Sequence, residues 1–131
     1  MSFRIALTVL LALSLSYASA LRAQTKSADA LVAKGQRQFL LCLACHDIGE
    51  TTIVKIGPNL KGIFGRKVAS VEGFKYSPAL KEQSFIWTEA ELDRWLEKPT
   101  AISPGTTMAI IGMPNPADRK AVIAYMLKKS Q

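Results

Sequence analysis

The two cysteines and the single histidine of this 131-residue chain fall together, as Cys42-Leu43-Ala44-Cys45-His46. Random placement of two Cys and one His yields that pattern about once in ten thousand arrangements, so the spacing carries chemical information. Two thiols cannot make a four-cysteine zinc or iron–sulfur site without a second chain, and one imidazole excludes any site that needs two. A zinc site here would lack a fourth ligand nearby, and a thioredoxin-like redox pair would want a βαβ setting that the sequence does not offer. The pattern reads instead as a c-type haem attachment site. On a helix, residues three apart stand about 300° apart around the axis. That brings both thiols close enough to one face to reach the two vinyl groups of one porphyrin, and the next residue can turn its imidazole onto the iron.

With His46 as the only imidazole, the sixth ligand must be water, Lys, Tyr or a Met. Beyond the N-terminal stretch the methionines are Met108, Met113 and Met126. Met126 sits with Val122, Tyr125 and Leu127 in a helical pattern and reads as core. Met113 precedes Pro114, just before a helix start. Met108 follows Ser103-Pro104-Gly105-Thr106-Thr107, a Pro-Gly turn that fixes a loop able to carry a side chain back across the macrocycle. Loop geometry favours Met108 over Met113 and leaves both open.

The N-terminus points to export. Met1 to Arg4 is short and positive, Ile5 to Ser16 is almost unbroken apolar sequence, and Ala18-Ser19-Ala20 has the small-x-small form that signal peptidase reads. The apolar run of about 16 residues is shorter than the roughly 20 needed to cross a bilayer, so a cleaved signal peptide over 1–20 is expected rather than a retained anchor. Residues 21–28 are expected as a flexible segment and 29–131 as one domain. The whole chain carries 17 Lys plus Arg against 10 Asp plus Glu and is 49% apolar, an ordinary globular balance that excludes a two-domain enzyme and intrinsic disorder.

The elements that must position these ligands read as helices. Ser27 or Asp29 can cap a first helix running toward Leu43, with Gly35 one turn before Phe39 offering a place for another helix to approach. Thr88-Glu89-Ala90-Glu91 has capping-box form, Leu92, Trp95 and Leu96 follow at helical spacing, and Pro99 ends that helix. Asn115-Pro116 starts the last helix, with Asp118 in its first turn and Lys128 and Lys129 in its last. The stretch from Glu50 to Phe74, with four Gly, reads as loop, and nothing reads as a sheet.

Taken together, these residues resemble a class I cytochrome c from about Lys34 to Lys129. The resemblance is carried by the haem motif, Gly57-Pro58-Asn59-Leu60, Gly62-Ile63-Phe64-Gly65-Arg66-Lys67, Gly73-Phe74-Lys75-Tyr76-Ser77, Trp87, Leu96-Glu97-Lys98-Pro99, Pro104-Gly105-Thr106-Thr107-Met108 and Ile123-Ala124-Tyr125. It implies an all-α fold of three to five helices and long loops around one covalently bound haem c. The first and last helices should cross, with Gly35 and Phe39 against Val122 and Tyr125. By the same resemblance Met108 is the axial partner of His46, and Pro58 matches the residue whose carbonyl accepts the other N–H of that imidazole. Tyr76 and Trp87 match the pair that hydrogen-bonds a buried haem propionate, Arg66 the cation held near it, and Thr106 a second propionate contact. Trp95 stands in the haem pocket where many relatives have a Tyr bonded to the Met sulfur; its indole N–H can donate there, or the ring can simply pack.

His/Met ligation raises the reduction potential and leaves no open coordination position, which implies one-electron transfer rather than catalysis. The expected protein is a periplasmic electron carrier, a monomer whose partners are redox proteins such as a dehydrogenase, a membrane respiratory complex or a terminal oxidase. The alternative is a haem c subunit dedicated to one oxidoreductase; an enzyme or gas sensor in which Met108 leaves the iron is a third reading. Membrane contact is expected only through partners. No basic run with interleaved aromatics suggests nucleic acid. Thr100, Ala101 and Thr107 stand where relatives that dock on an oxidase often have Lys, and Leu80 and Ile110 should make the haem pocket more apolar. Lys34, Arg37, Lys55, Lys61, Lys67, Lys75 and Lys81 can form an electropositive face for acidic partners, or a scattered solvated surface.

Overall fold

The computed structural model describes residues 22–51, 53 and 55–130, so the leader expected over 1–20 lies outside the described residues. Two compact units divide the chain, Met1–Leu31 and Val32–Gln131. In the first, residues 22–30 are helical and exposed, with Thr25 Oγ1 donating to Arg22 O at 3.0 Å.

Among the described residues 22–39 are helical and form α1, which therefore already runs through Ser27 and Asp29, the caps expected for it. The physical reason is local: Arg22, Ala23, Gln24 and Lys26 favour a helix, and no Gly or Pro interrupts the run before Gly35. α1 also stops short of Leu43, and Cys42–Ala44 forms a separate 3₁₀ turn.

The remaining helices of the described residues are α2 (Pro78–Lys81), α3 (Glu89–Glu97), α4 (Pro99–Ile102) and α5 (Pro116–Lys129). Their boundaries are set by the sequence signals. Thr88 accepts from Glu91 N to cap α3, Asn115 accepts from Ala117 N to cap α5, and Pro99 ends α3 by opening α4. Glu91 does not close the reciprocal half of a capping box; it pairs with Arg94 instead.

α5 is the spine of the second unit. It packs on α3 and buries Ala121, Val122, Ile123, Tyr125 and Met126. Gly35 of α1 lies so close to it that a Cβ there would sit 1.8 Å from Ala121 O, and the Phe39 and Tyr125 rings pack with centroids 5.2 Å apart. This is the expected helix crossing, and it needs a glycine because backbone meets backbone.

Arg119, early in α5, is 6% exposed; it donates to both carboxylate oxygens of Asp93 on α3 and, through one Nη, to the carbonyls of Met113 and Pro114. One guanidinium thereby joins two helices and the end of the loop that carries Met108. The loop region from 50 to 74 holds no helix among its described residues. One isolated antiparallel bridge, Lys67 to Ile86, escaped the sequence reading because two residues give no periodicity. Its neighbours Val68 N to Phe85 O and Trp87 N to Arg66 O bring Arg66 beside Trp87.

Candidate haem site

The Cys42–Ala44 turn is built by two donors converging on one carbonyl: Cys45 N and His46 N reach Cys42 O at 3.0 and 2.8 Å. Both thiols are free and half-buried, and burial pushes the Cys42 thiol above its ordinary range. The next loop closes back on this turn. Gly57 N donates to Cys45 O at 2.7 Å, and a Cβ on Gly57 would fall 2.4 to 2.9 Å from three atoms of the His46 ring. Pro58 O lies 2.8 Å from His46 Nδ1. A carbonyl can only accept, so Nδ1 carries the proton and Nε2 is the free ligating atom. Burial favours the neutral ring more than that carbonyl favours the charged one, and nearby Lys55 acts in the same direction as burial.

Lys55 itself turns inward. Its Nζ donates to Leu43 O and His46 O, both at 2.8 Å, and pairs with Asp47 at 3.6 Å. It cross-links the attachment loop, a role that a surface-like Lys in the sequence did not signal. Lys34 pairs with Asp118, and Lys61 with Glu50. Three of the cations that could have formed an electropositive face are therefore tied up locally.

Met108 is delivered by a turn in which Thr106 N donates to Ser103 O at 3.0 Å across Pro104-Gly105, with Gly105 at φ +90°. That is the type II geometry that Pro followed by Gly demands. Trp95 Nε1 donates to Met108 Sδ at 3.1 Å, and Thr106 Oγ1 accepts from Met108 N at 3.3 Å. Met113 is held differently: its N–H donates to Leu96 O at 2.7 Å, next to Gly112, whose Cβ would clash with Glu97 O at 2.1 Å. The loop is thus pinned to the end of α3 behind Met113. Gly112 and Arg119 were not singled out from sequence; Gly57 stood only in a quoted motif, and Lys55 was read only as a surface cation.

The candidate propionate group is partly assembled. Arg66 donates to Lys61 O and Asn59 O at 3.0 and 3.1 Å, and Tyr76 Oη accepts from Val71 N at 3.3 Å. Burial lowers the Arg66 pKa and raises that of Tyr76, each offset in part by the electrostatic influence of the other. Trp87 packs edge-on between Phe85 and Trp95, with centroids 4.8 and 5.5 Å away. Ser103 Oγ is the buried side-chain polar atom that finds no partner among the described residues, on the loop leading to Met108. Leaving such a hydroxyl unpaired costs about 1–3 kcal/mol, which a water or a non-protein group would offset.

These residues fit a haem. An imidazole with a fixed tautomer and a polarised thioether form the donor set that suits iron, two free thiols sit one helical turn apart beside it, and an arginine–tyrosine pair is available for carboxylates. The comparisons agree. The family model for Cytochrome c matches residues 32–130. The chain is 43% identical over 93 residues to cytochrome c2 of Rhodomicrobium vannielii, covering 71% of this chain and 74% of that one. It is 41% identical over 97 residues to cytochrome c-550 of Ancylobacter novellus, covering 72% and 91%. Among solved structures, cytochrome cH from Methylobacterium extorquens superposes with a TM-score of 0.69 at 35% identity, over 75% of this chain and 98% of that one. With the match extending far beyond the haem motif, the chain belongs to the class I, monohaem cytochrome c family and is a one-electron carrier with one covalently attached haem c.

Proposed function

We propose that Cys42 and Cys45 bond the porphyrin, that His46 Nε2 and Met108 Sδ are the axial ligands, and that the protein shuttles electrons between redox proteins of the periplasm. The observation that carries this reading is that both ligating groups are held by hydrogen bonds of their own: His46 Nδ1 to Pro58 O at 2.8 Å, and Trp95 Nε1 to Met108 Sδ at 3.1 Å. Neither group needs to move when the charge on the iron changes, so reorganisation is small. The iron, when bound, supplies a ferric/ferrous couple whose potential His/Met ligation raises and whose coordination positions are all filled.

The chain's own residues do the rest. Pro58 and Gly57 fix the plane and tautomer of His46. Arg66, Tyr76, Trp87 and Thr106 are the donors for the propionates. Arg66 is the cation among them, which suits a carboxylate taken out of water. Filled axial positions argue for a carrier rather than an enzyme. The apolar run ending in Ala18-Ser19-Ala20, with the form of a cleavable leader, supports export, and no helix among the described residues is long and apolar enough to cross a membrane. Function as a monomer that meets its partners by diffusion completes the reading.

The test is the optical spectrum of protein made with a haem-attachment system, alongside Met108→Ala and Met113→Ala. A weak long-wavelength ferric band from sulfur-ligated iron is expected in the parent and in Met113→Ala and absent from Met108→Ala. The same band surviving in Met108→Ala would overturn the assignment.

A further inference from the structure

Met108 stands five residues from Ser103 and five from Met113, and its loop is anchored at those two residues. Upstream, Ser103 is fully buried, and its N–H donates to Pro99 O at 2.9 Å. Downstream, Met113 N donates to Leu96 O at 2.7 Å, and Gly112, at φ +116°, lies too close to Glu97 O for any side chain to fit. The tip between them is supported differently. Residues 107–111 form neither helix nor strand, Thr107, Ala109 and Ile110 are exposed, and Ile111 is 99% exposed. Met108 aside, a tip that buries so little apolar surface is not held by packing, so the position of that methionine depends on its two anchored ends.

Arg119 closes the downstream end. Its guanidinium meets both oxygens of Asp93, Nε at 2.8 Å and Nη2 at 3.2 Å, and Nη1 donates to the carbonyls of Met113 and Pro114 at 2.9 and 3.0 Å. Asp93 belongs to α3, the helix that also carries Trp95 and Leu96, the partners of Met108 Sδ and Met113 N. One helix therefore holds the sulfur, an amide and, through Arg119, two successive carbonyls of the same loop. Burying a charge to do this costs desolvation, and apolar side chains of similar volume are often as stabilising as a buried ion pair. What they cannot supply is two donors aimed at two carbonyls.

Resting on the ligation proposed above, we infer that Arg119 is a positioning residue for the axial ligand: held by Asp93, it ties the return leg of the loop to α3 and thereby sets how often Met108 leaves the iron. Met108 leaves when residues 109–114 swing away from α3 about the Ser103 end, and that movement breaks both carbonyl bonds to Arg119. Losing the two in advance speeds departure at least about tenfold, because hydrogen bonds from a charged donor are among the stronger ones. The brace keeps the coordination positions filled, which separates a carrier from an iron centre open to small ligands.

Imidazole is the probe, because it binds the ferric iron only where Met108 has left. Its binding to the ferric holoprotein is followed by stopped-flow, as loss of the long-wavelength sulfur–iron band. With rising imidazole the observed rate should level off at the rate of Met108 departure. That plateau is measured for the parent, Arg119→Lys, Asp93→Asn and Gly35→Ala, beside the urea midpoint of each holoprotein. Lysine keeps the charge but has one nitrogen in place of the fork, so it cannot hold Asp93 and both carbonyls together, and the plateau should rise at least about tenfold. Asp93→Asn, at a side chain 39% exposed, weakens the anchor and leaves Arg119 its carbonyls. It should give a smaller rise, about threefold, and carries the test if Arg119→Lys yields no holoprotein. Gly35→Ala loosens the α1–α5 crossing away from the loop; it should lower the urea midpoint and leave the plateau within about twofold of the parent. A parental plateau in the two brace variants, with lowered urea midpoints, would make Arg119 a support of the fold alone and overturns the proposal. An equal rise in Gly35→Ala also overturns it, as does a parental rate that climbs linearly with imidazole, since Met108 is then no gate. Each of these leaves the ligation reading intact; a parent without the long-wavelength band overturns that reading and the proposal with it.

Discussion

The indole N–H of Trp95 donates to the sulfur of Met108 across 3.1 Å, linking the core face of α3 to the tip of the Pro-Gly loop. An indole can donate and cannot accept, so this contact has one polarity. It draws electron density from the lone pairs that Met108 would share with iron, and the loss is felt more by ferric than by ferrous iron.

Replacing Trp95 with Phe should therefore lower the reduction potential. A net hydrogen bond of about 1 kcal/mol corresponds to roughly 40 mV for a one-electron couple, at 59 mV per tenfold change in equilibrium constant, and the shift should not exceed that. Voltammetry on the two holoproteins measures it. An unchanged or raised potential, with the ferric long-wavelength band retained, would show that the contact only packs.

Gly57 has the most restrictive environment on the histidine side. Alanine there puts a methyl group 2.4 Å from His46 Cε1 and 2.6 Å from Nδ1, inside any allowed contact, while Pro58 O holds the ring from its edge. The ring must swing and lose that bond. Disturbing a partner that orients a metal ligand typically costs 10–100-fold in metal affinity, so Gly57→Ala should give about a tenth or less of the parental yield of His-ligated holoprotein. Haem content per chain after purification from a haem-attachment host is the readout. Full incorporation with a parental spectrum would mean that the loop yields more easily than its contacts imply.

Where chemistry or capping is local, the residues are legible in order along the chain. Covalent attachment requires Cys42, Cys45 and His46 to be contiguous, and Thr88, Pro99, Asn115 and Pro116 announce the ends of α3 and α5 through bonds that span three residues or fewer. The choice between Met108 and Met113 could not be read that way, because it depends on which loop residue faces Trp95 from 13 positions away. Lys55 was illegible for a related reason: a lysine's sequence neighbours do not say whether its ammonium faces water or three oxygen acceptors of another loop. The start of α1 was misplaced because Ser27 and Asp29 are good caps that nothing obliges the chain to use. The bridge at Lys67 was too short to leave a pattern.

At Gly35 two opposing terms can be weighed. Alanine is the better helix former by about 1 kcal/mol. Its Cβ would, however, lie 1.8 Å from Ala121 O and 2.9 Å from Tyr125 Cβ, so α1 and α5 must part and the Phe39–Tyr125 packing must loosen. Overpacking costs about 1–3 kcal/mol when side chains can give, and here backbone carries the clash, so the upper end applies. Gly35→Ala should lower holoprotein stability by about 2 kcal/mol after the helix gain, read from the urea midpoint. A neutral or stabilising result would mean that the crossing is looser than its geometry.

The last prediction concerns the covalent group itself. The second unit buries a modest apolar core, chiefly Phe39, Trp87, Leu92, Trp95, Leu96, Val122, Tyr125 and Met126, and much of the rest is loop. A domain of this size has little margin once chain entropy is counted at about 1–2 kcal/mol per residue. Trp87, Trp95, Tyr76 and Met108 line one proposed pocket, and removing the haem would leave their apolar surface facing water. Helices α2 and α4, at four residues each, cannot persist alone, since even good helix formers need about 12–15 residues in water. The Cys42→Ala, Cys45→Ala double variant, which cannot attach haem, should therefore be largely unfolded. Its far-UV circular dichroism should show most of the parental helicity lost and no cooperative thermal transition. Full native helicity in that variant would mean that the contacts along α5 suffice without the haem.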